Sequence, residues 1–340
     1  VTRFMFSTLI ANDGSLIENC LLLQKLQVLF AHYTTKHAVQ GCFPEPCIIS
    51  VYMVTLVKEL RTRAAALGFN KLGVVPAEPP QTLDAYLGWI DAGYHGTMAY
   101  MARRDRVERR QDPRNILPDM QTIICVGLDY SSQVIPTHII TDPGRGRISN
   151  YAWGTDYHDI MIPRLEQLAC WLGQRDSMIR TRVYVDTGAI LERDHAARAG
   201  LGFVGKNSML IDPRGGSYFF LGEILTTLRL RDEGPRPKLP GCGTCSRCLE
   251  ACPTAAFPKP YVLDSRRCIS YLTIELKGWI PQDLRPMMGN WIYGCDICQE
   301  VCPFNRFTRP TDENLFSPTN WEFAAPSLLD MLRLDEEGFK

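Results

Sequence analysis

The sequence predicts an α+β protein: a mixed α/β domain over about residues 53–232, a cysteine-rich module over about 233–310, and a helical segment over 311–340. Three observations carry this. From Met53 on, apolar residues at helical spacing alternate with short β-rich runs. A run rich in proline and charge, 231–240, then breaks the pattern. Beyond it, eight of the 13 cysteines fall within residues 242–302.

The elements follow in order. Residues 54–67 read as a helix closed by Gly68, 71–76 as a short strand, and 82–92 as a helix closed by Gly93. Residues 122–128 are apolar and β-rich, the mark of a buried strand. A helix is expected over 156–173. A strand over 182–185 runs into Asp186-Thr187-Gly188, with a helix to about Ala199 and a Gly-rich turn over 200–205. Runs 208–211 and 218–228 read as strands around a turn at 212–216. In the tail, 327–334 looks helical and stops without a cap, so truncation is expected there. Residues 1–52 lack the alternation, and Cys20, Cys42 and Cys47 show no ligand pattern. They are expected to be an extension outside the core, with the natural start near Met53.

Bulk composition excludes little. Lys plus Arg equals Asp plus Glu at 37 each, so only local charge can speak for a nucleic-acid partner. The most apolar early stretch, 20–31, is interrupted by Gln24, Lys25 and Gln27 and is too short and polar to span a bilayer. An odd cysteine count without an export signal argues against disulfides. Thiolate–metal chemistry in a reducing compartment, the cytoplasm, is expected instead.

Two cysteine runs carry that chemistry. One is Cys242-x2-Cys245-x2-Cys248-x3-Cys252-Pro253, the other Cys295-x2-Cys298-x3-Cys302-Pro303. Three cysteines spaced two apart let one tight loop wrap three corners of a cubane, and the cysteine before proline ligates the other cluster. The second run lacks its first cysteine, with Ile292 in that place, and Cys268 is the one module cysteine left over. Counting then assigns one [4Fe-4S] cluster to Cys242, Cys245, Cys248 and Cys302. The second takes Cys252, Cys268, Cys295 and Cys298. The bland alternative is two zinc sites, though zinc prefers paired CxxC knuckles. The α/β part has no GxGxxG after a strand, no P-loop and no HExxH. Low-potential clusters feeding a reduction therefore call for a flavin, a corrin or a similar cofactor.

The chain resembles the epoxyqueuosine reductases from about Met53 to Arg306. The matching runs are Tyr151 to His158 (Tyr-Ala-Trp-Gly-Thr-Asp-Tyr-His), Val185 to Arg193 (Val-Asp-Thr-Gly-Ala-Ile-Leu-Glu-Arg), Ala199 to Asn207, Gly216 to Glu223, and the cluster module with its Tyr293-Gly-Cys-Asp-Ile-Cys298. More distantly it is similar to corrinoid reductive dehalogenases. The resemblance implies a nitroreductase-like cobalamin-binding domain joined to a ferredoxin-like domain with two [4Fe-4S] clusters. It implies removal of the epoxide oxygen of epoxyqueuosine in tRNA, the last step to queuosine. It also implies a low-potential electron donor such as flavodoxin or ferredoxin, no membrane, and a monomer. Asp186 matches the family's proton donor. Arg110, Ser149, Asp186, Leu210 and Leu221 are expected to contact cobalamin.

Physical reasoning meets these assignments. An epoxide oxygen leaves easily only if protonated as it departs, and a carboxylic acid does this best where burial raises its pKa. Asp186, after an apolar strand, suits that role; the alternative is that it only caps the next helix. Arg110 and Ser149 have the alternative of exposed loop residues. His158 and His195 are expected to be structural rather than cobalt ligands. For tRNA, residues 101–114 hold six arginines against three acids, and Arg145 and Arg147 lie in a Gly-bearing loop. A solvated charged face explains the first stretch as well. Tyr151, Trp153 and Tyr157 are candidates for an aromatic mouth, or for core packing. Two rival functions stand beside this one: reduction of a small organohalide or other metabolite, and plain electron carriage.

Overall fold

The computed structural model describes residues 45–132, 134–232 and 239–339. Most of the expected extension, Cys20 and Cys42 included, and part of the 231–240 linker lie outside the described residues. Nothing is described of the Cys47 side chain.

A four-stranded sheet forms the centre. Its strands are β1 (Lys71–Pro76), β2 (Thr122–Asp129), β7 (Phe219–Thr226) and β4 (Thr181–Tyr184), in that spatial order and all antiparallel. Strand alternation sorts β2 onto two faces. Ile124, Val126 and Leu128 join one buried cluster, with residues of helix α1 (Glu45–Ala66) and helix α4 (Tyr157–Gly173). Ile123 and Cys125 join the opposite cluster, with Ala196 of the short helix α5 (Glu192–Arg198). The result is a sheet sandwiched between helices. Helix α4 starts where Asp156 accepts the His158 N–H, and it buries a stripe from Ile160 to Leu172. Two further helices, α2 (Leu83–Asp91) and α3 (Arg104–Gln111), pack at the edge. The sequence reading took the second of these only as a basic run.

The runs at 208–211 and 218–228 are strands, but not partners. β6 (Leu210–Ile211) pairs with β5 (Phe203–Val204), while β7 takes the centre of the sheet between β2 and β4. Only the single bridge Asp212–Gly216 closes the turn between them. β7 has eight apolar-rich residues buried on both faces, and it gains more from two long partners than from a two-residue hairpin arm.

The cysteine module is built from loops and one-turn helices: α6 (Arg247–Glu250), α7 (Ile269–Ile274) and α8 (Ile297–Glu300), with strand β8 (Trp291–Tyr293). It has a small core of its own around Leu272, Leu284 and Trp291. β8 pairs in parallel with β3 (Arg147–Ile148) and so stitches the module to the α/β part. Residues 50–340 pack as one compact unit. The tail folds back: Phe316 enters the main core, and the backbone of Ile148 donates to Ala324 O. Its expected helix over 327–334 is one turn, Leu328–Met331, capped by Ser327. Among the described residues no helix is long and apolar enough to cross a membrane.

Candidate functional site

β4 ends at Tyr184, and two residues later the chain turns sharply at Asp186, whose φ of 59° lies in the left-handed region that side chains disfavour. Three contacts fix this turn. The Asp186 N–H donates to Glu192 Oε1 at 2.8 Å, Tyr157 donates its hydroxyl to Asp186 Oδ2 at 3.2 Å, and Arg106 Nη1 donates to Thr187 O at 3.4 Å. The Tyr157 ring is itself held by stacking on Phe220 at 4.2 Å.

The expected burial of Asp186 is corrected: the residue is exposed. The apolar strand stops before it, and Val185 is the last side chain to enter the core. The capping alternative also fails. The N-cap of α5 is Leu191, with no side-chain cap bond. The perturbed carboxyl is Glu192 instead. Burial, then the charges of Glu223 and Asp186, push it up to about 8. Behind it, Glu223 and His195 are fully buried, with His195 Nδ1 3.1 and 3.2 Å from the two Glu223 oxygens; the Cys125 thiol donates to Glu223 Oε1 at 3.8 Å. Burial and the Asp186 charge also raise the Tyr157 phenol. Sequence reasoning passed over Glu192 and Glu223, although both lie inside motif runs it had marked.

The other expected site residues fall in different surroundings. Arg110 is no exposed loop residue: it is buried in the last turn of α3, its guanidinium 5.3 Å from the Tyr86 ring centre, with Nε unpartnered. Ser149 is buried too, and its hydroxyl donates to Asp296 Oδ1 at 2.6 Å. Leu210 sits in the core and Leu221 packs half-buried beside it. His195 serves Glu223, and His158 Nδ1 lies 2.8 Å from Asp156. Trp153 is core, its ring edge-on to Trp321. Tyr157 borders the Asp186 turn, whereas half-buried Tyr151 lies against Tyr293; burial is the first cause that raises both phenols. Of the basic run, Arg103, Arg104 and Arg114 pair with acids close by in sequence. Arg145 and Arg147 bond Glu322 and Glu300.

The cysteines form two sets. Cys242, Cys245, Cys248 and Cys302 line one small pocket with Asn207, Ile211 and Phe304. Cys252, Cys268, Cys295 and Cys298 neighbour one another electrostatically; burial pushes the Cys295 thiol up to about 12 and the Cys298 thiol well up. Cys298 also feels Cys248, so the sets are adjacent. Buried thiols so crowded hold negative charge only against a cationic group, which iron supplies. Among the described residues no three His, Cys, Asp or Glu side chains are placed to hold a single metal ion. A cubane, with thiolates spread around four irons, suits that spacing. The Lys206 N–H donates to Cys242 Sγ and the Ala256 N–H to Cys252 Sγ, both at 3.3 Å, as cluster sulfurs require. Ile292, in the place of the missing cysteine, packs over Gly146.

Comparison with known proteins agrees with this arrangement. Residues 241–305 match a family described as a 4Fe-4S double cluster binding domain, and residues 110–187 match the family epoxyqueuosine reductase QueG. An epoxyqueuosine reductase of Escherichia coli strain K12 is 40% identical over 285 residues, covering 84% of this chain and 74% of the relative. A crystal structure of an epoxyqueuosine reductase with an epoxyqueuosine-modified tRNA-Tyr stem loop superposes with a TM-score of 0.76 at 34% identity, covering 85% of this chain and 75% of that one. A Bacillus subtilis epoxyqueuosine reductase, solved with an aspartate-bearing catalytic loop swung out of the active site, gives 0.75 at 33% identity over the same shares. With its iron–sulfur module and its motif runs in one fold, the chain belongs to the epoxyqueuosine reductase family of oxidoreductases.

Proposed function

We propose that the chain reduces epoxyqueuosine in tRNA to queuosine, using two [4Fe-4S] clusters and cobalamin, with Asp186 as the proton donor. The observation that carries the reading is the exposed acid on a pinned turn, in the same fold as a double set of cluster cysteines. Two electrons and two protons are consumed, the C–O bonds of the epoxide are cleaved, and water leaves. The clusters would be held by the two cysteine sets named above.

Cobalamin, when bound, would supply the strongly reducing centre that the removal of an epoxide oxygen needs. The residues present fit such a group. Arg110 Nε and Asn150 Oδ1 are a buried donor and a buried acceptor without protein partners, and corrin amide arms can serve both. Arg110, Ser149, Asp186, Leu210 and Leu221 are the proposed contacts; Leu210 and Ser149 are buried, so they would lie behind the groups that touch the cofactor.

The chain's own residues do the rest. Asp186 Oδ2 is held by the Tyr157 hydroxyl, so the carboxyl has a fixed aim. Its exposure lets it reach a substrate too large to enter the core, as a tRNA base is. The proton it gives to the leaving oxygen prevents an unstable alkoxide. A low-potential carrier such as flavodoxin or ferredoxin is proposed to reload the clusters. The B. subtilis relative's mobile aspartate loop supports Asp186, which likewise stands on a loop.

The test is direct. The anaerobically reconstituted chain is incubated with cobalamin, a strong reductant and epoxyqueuosine-containing tRNA, and the nucleosides are analysed. Queuosine appearing only when cobalamin is present is the expected result; no conversion by an iron-loaded, cobalamin-loaded chain would remove the proposal.

A further inference from the structure

We propose that Glu192 is a positioning residue for Asp186, holding the acid's backbone in its left-handed turn from beneath. This rests on the reading of Asp186 as proton donor. A non-glycine residue at φ 59° persists only where its surroundings over-determine it. Glu192 supplies that constraint by accepting the Asp186 N–H at 2.8 Å. The cost of placing a carboxyl there is plain. Glu223 lies close enough to repel it, and stability alone would favour a neutral residue. Glu223 has partners of its own in His195 and Cys125, whereas the hydrogen bond described for Glu192 goes to the backbone of the acid.

The groups facing Glu192 come from every neighbouring element. They are Glu223 on β7, Asp186 on the loop, Arg193 on its own helix, Arg110 on α3, Tyr157 on α4 and Cys125 on β2. Burial, then the charges of Glu223 and Asp186, outweigh Arg193 and raise the Glu192 carboxyl, which favours its protonated form. It then holds the Asp186 N–H without adding a second negative charge beside the acid. As pH rises and Glu192 ionises, that charge opposes loss of the Asp186 proton.

The test compares Glu192→Gln, Glu192→Ala and Asp186→Asn with the wild type in the fully reconstituted chain. It reads kcat, KM, the pH profile, iron content and a crystal structure of the loop. Glu192→Ala is expected to lower kcat about tenfold or more with KM for the tRNA little changed, and to let residue 186 leave its positive φ, because one hydrogen bond and the strain it offsets are lost. Glu192→Gln keeps the acceptor and should hold kcat within about threefold near neutral pH, while losing the alkaline inflection expected of the wild type. Wild-type kcat and an unmoved loop in Glu192→Ala would overturn the inference. So would a Glu192→Gln enzyme whose kcat falls about tenfold or more while residue 186 stays in its turn, since the acceptor is then kept and the loop is held; that comparison decides if the alanine variant fails to fold. Normal turnover by Asp186→Asn would instead remove the underlying reading of Asp186, and the two failures are therefore distinct.

Discussion

Asp186 and Glu192 are six residues apart and joined by one hydrogen bond; Asp186 is exposed where burial was expected, and Glu192 is half-buried. Asp186, the proposed proton donor, is exposed, and its neighbour Glu192 carries the raised pKa. Tyr157→Phe removes the hydroxyl that aims Asp186 and should lower kcat several-fold with cluster content intact, since one such bond is worth about 1 kcal/mol. A kcat equal to the wild type would show that the aim is set elsewhere. The pH dependence of stability has a definite sign. Glu192 holds its proton more tightly folded than unfolded, so its contribution is full below its ordinary value of 4.5 and is lost as pH rises through about 8. Glu192→Gln cannot ionise, and its Tm should therefore gain on that of the wild type between about pH 5 and about pH 9. Asp186 was legible because it lies in a recognisable run after a strand. Glu192 was not, although it lies in the same run, because what perturbs it is burial first and then Glu223, and both arise only once β7 has taken its place in the sheet.

At the level of elements, the junction between the sheet domain and the cysteine module depends on close backbone approach. Gly294 has φ 67°, and a Cβ there would lie 2.5 Å from Ser149 Cβ. Ser149 in turn donates to Asp296, whose other oxygen accepts the Asn150 N–H at 2.7 Å. Gly294→Ala is expected to destabilise the protein by about 1–3 kcal/mol, read as a lower Tm, with loss of cluster occupancy on mild heating. Wild-type Tm in this variant would show that the junction tolerates a wider gap. The long strands and helices were readable from periodicity. The pairing of β6 with β5 was not, because two-residue strands carry no periodic signal and a Gly-rich turn fits either hairpin. Likewise the arginines of 101–114 suggested a nucleic-acid face, whereas local acids and the Tyr86 ring occupy much of that charge.

At the scale of the molecule, the two cysteine sets and the Asp186 turn belong to one compact unit, residues 50–340. The cysteine spacing alone assigned the two sets, and the fold groups the same residues, since loop spacing fixes three of the four in one set and the chain crossing supplies the last. Cys268 was found by counting; its place at the start of α7 brings it beside Cys252 and Cys295. Reconstituted wild type should hold about eight irons and eight sulfides, and Cys268→Ser about four stable irons. Full iron in that variant would move the ligand elsewhere. The central claim, that electrons from the clusters are spent where Asp186 donates its proton, is tested most directly by the nucleoside yield of Asp186→Asn with both clusters and cobalamin loaded. The expected result is iron content and cobalamin binding equal to the wild type with conversion of epoxyqueuosine reduced at least about a hundredfold. Queuosine formed at the wild-type rate would contradict the account.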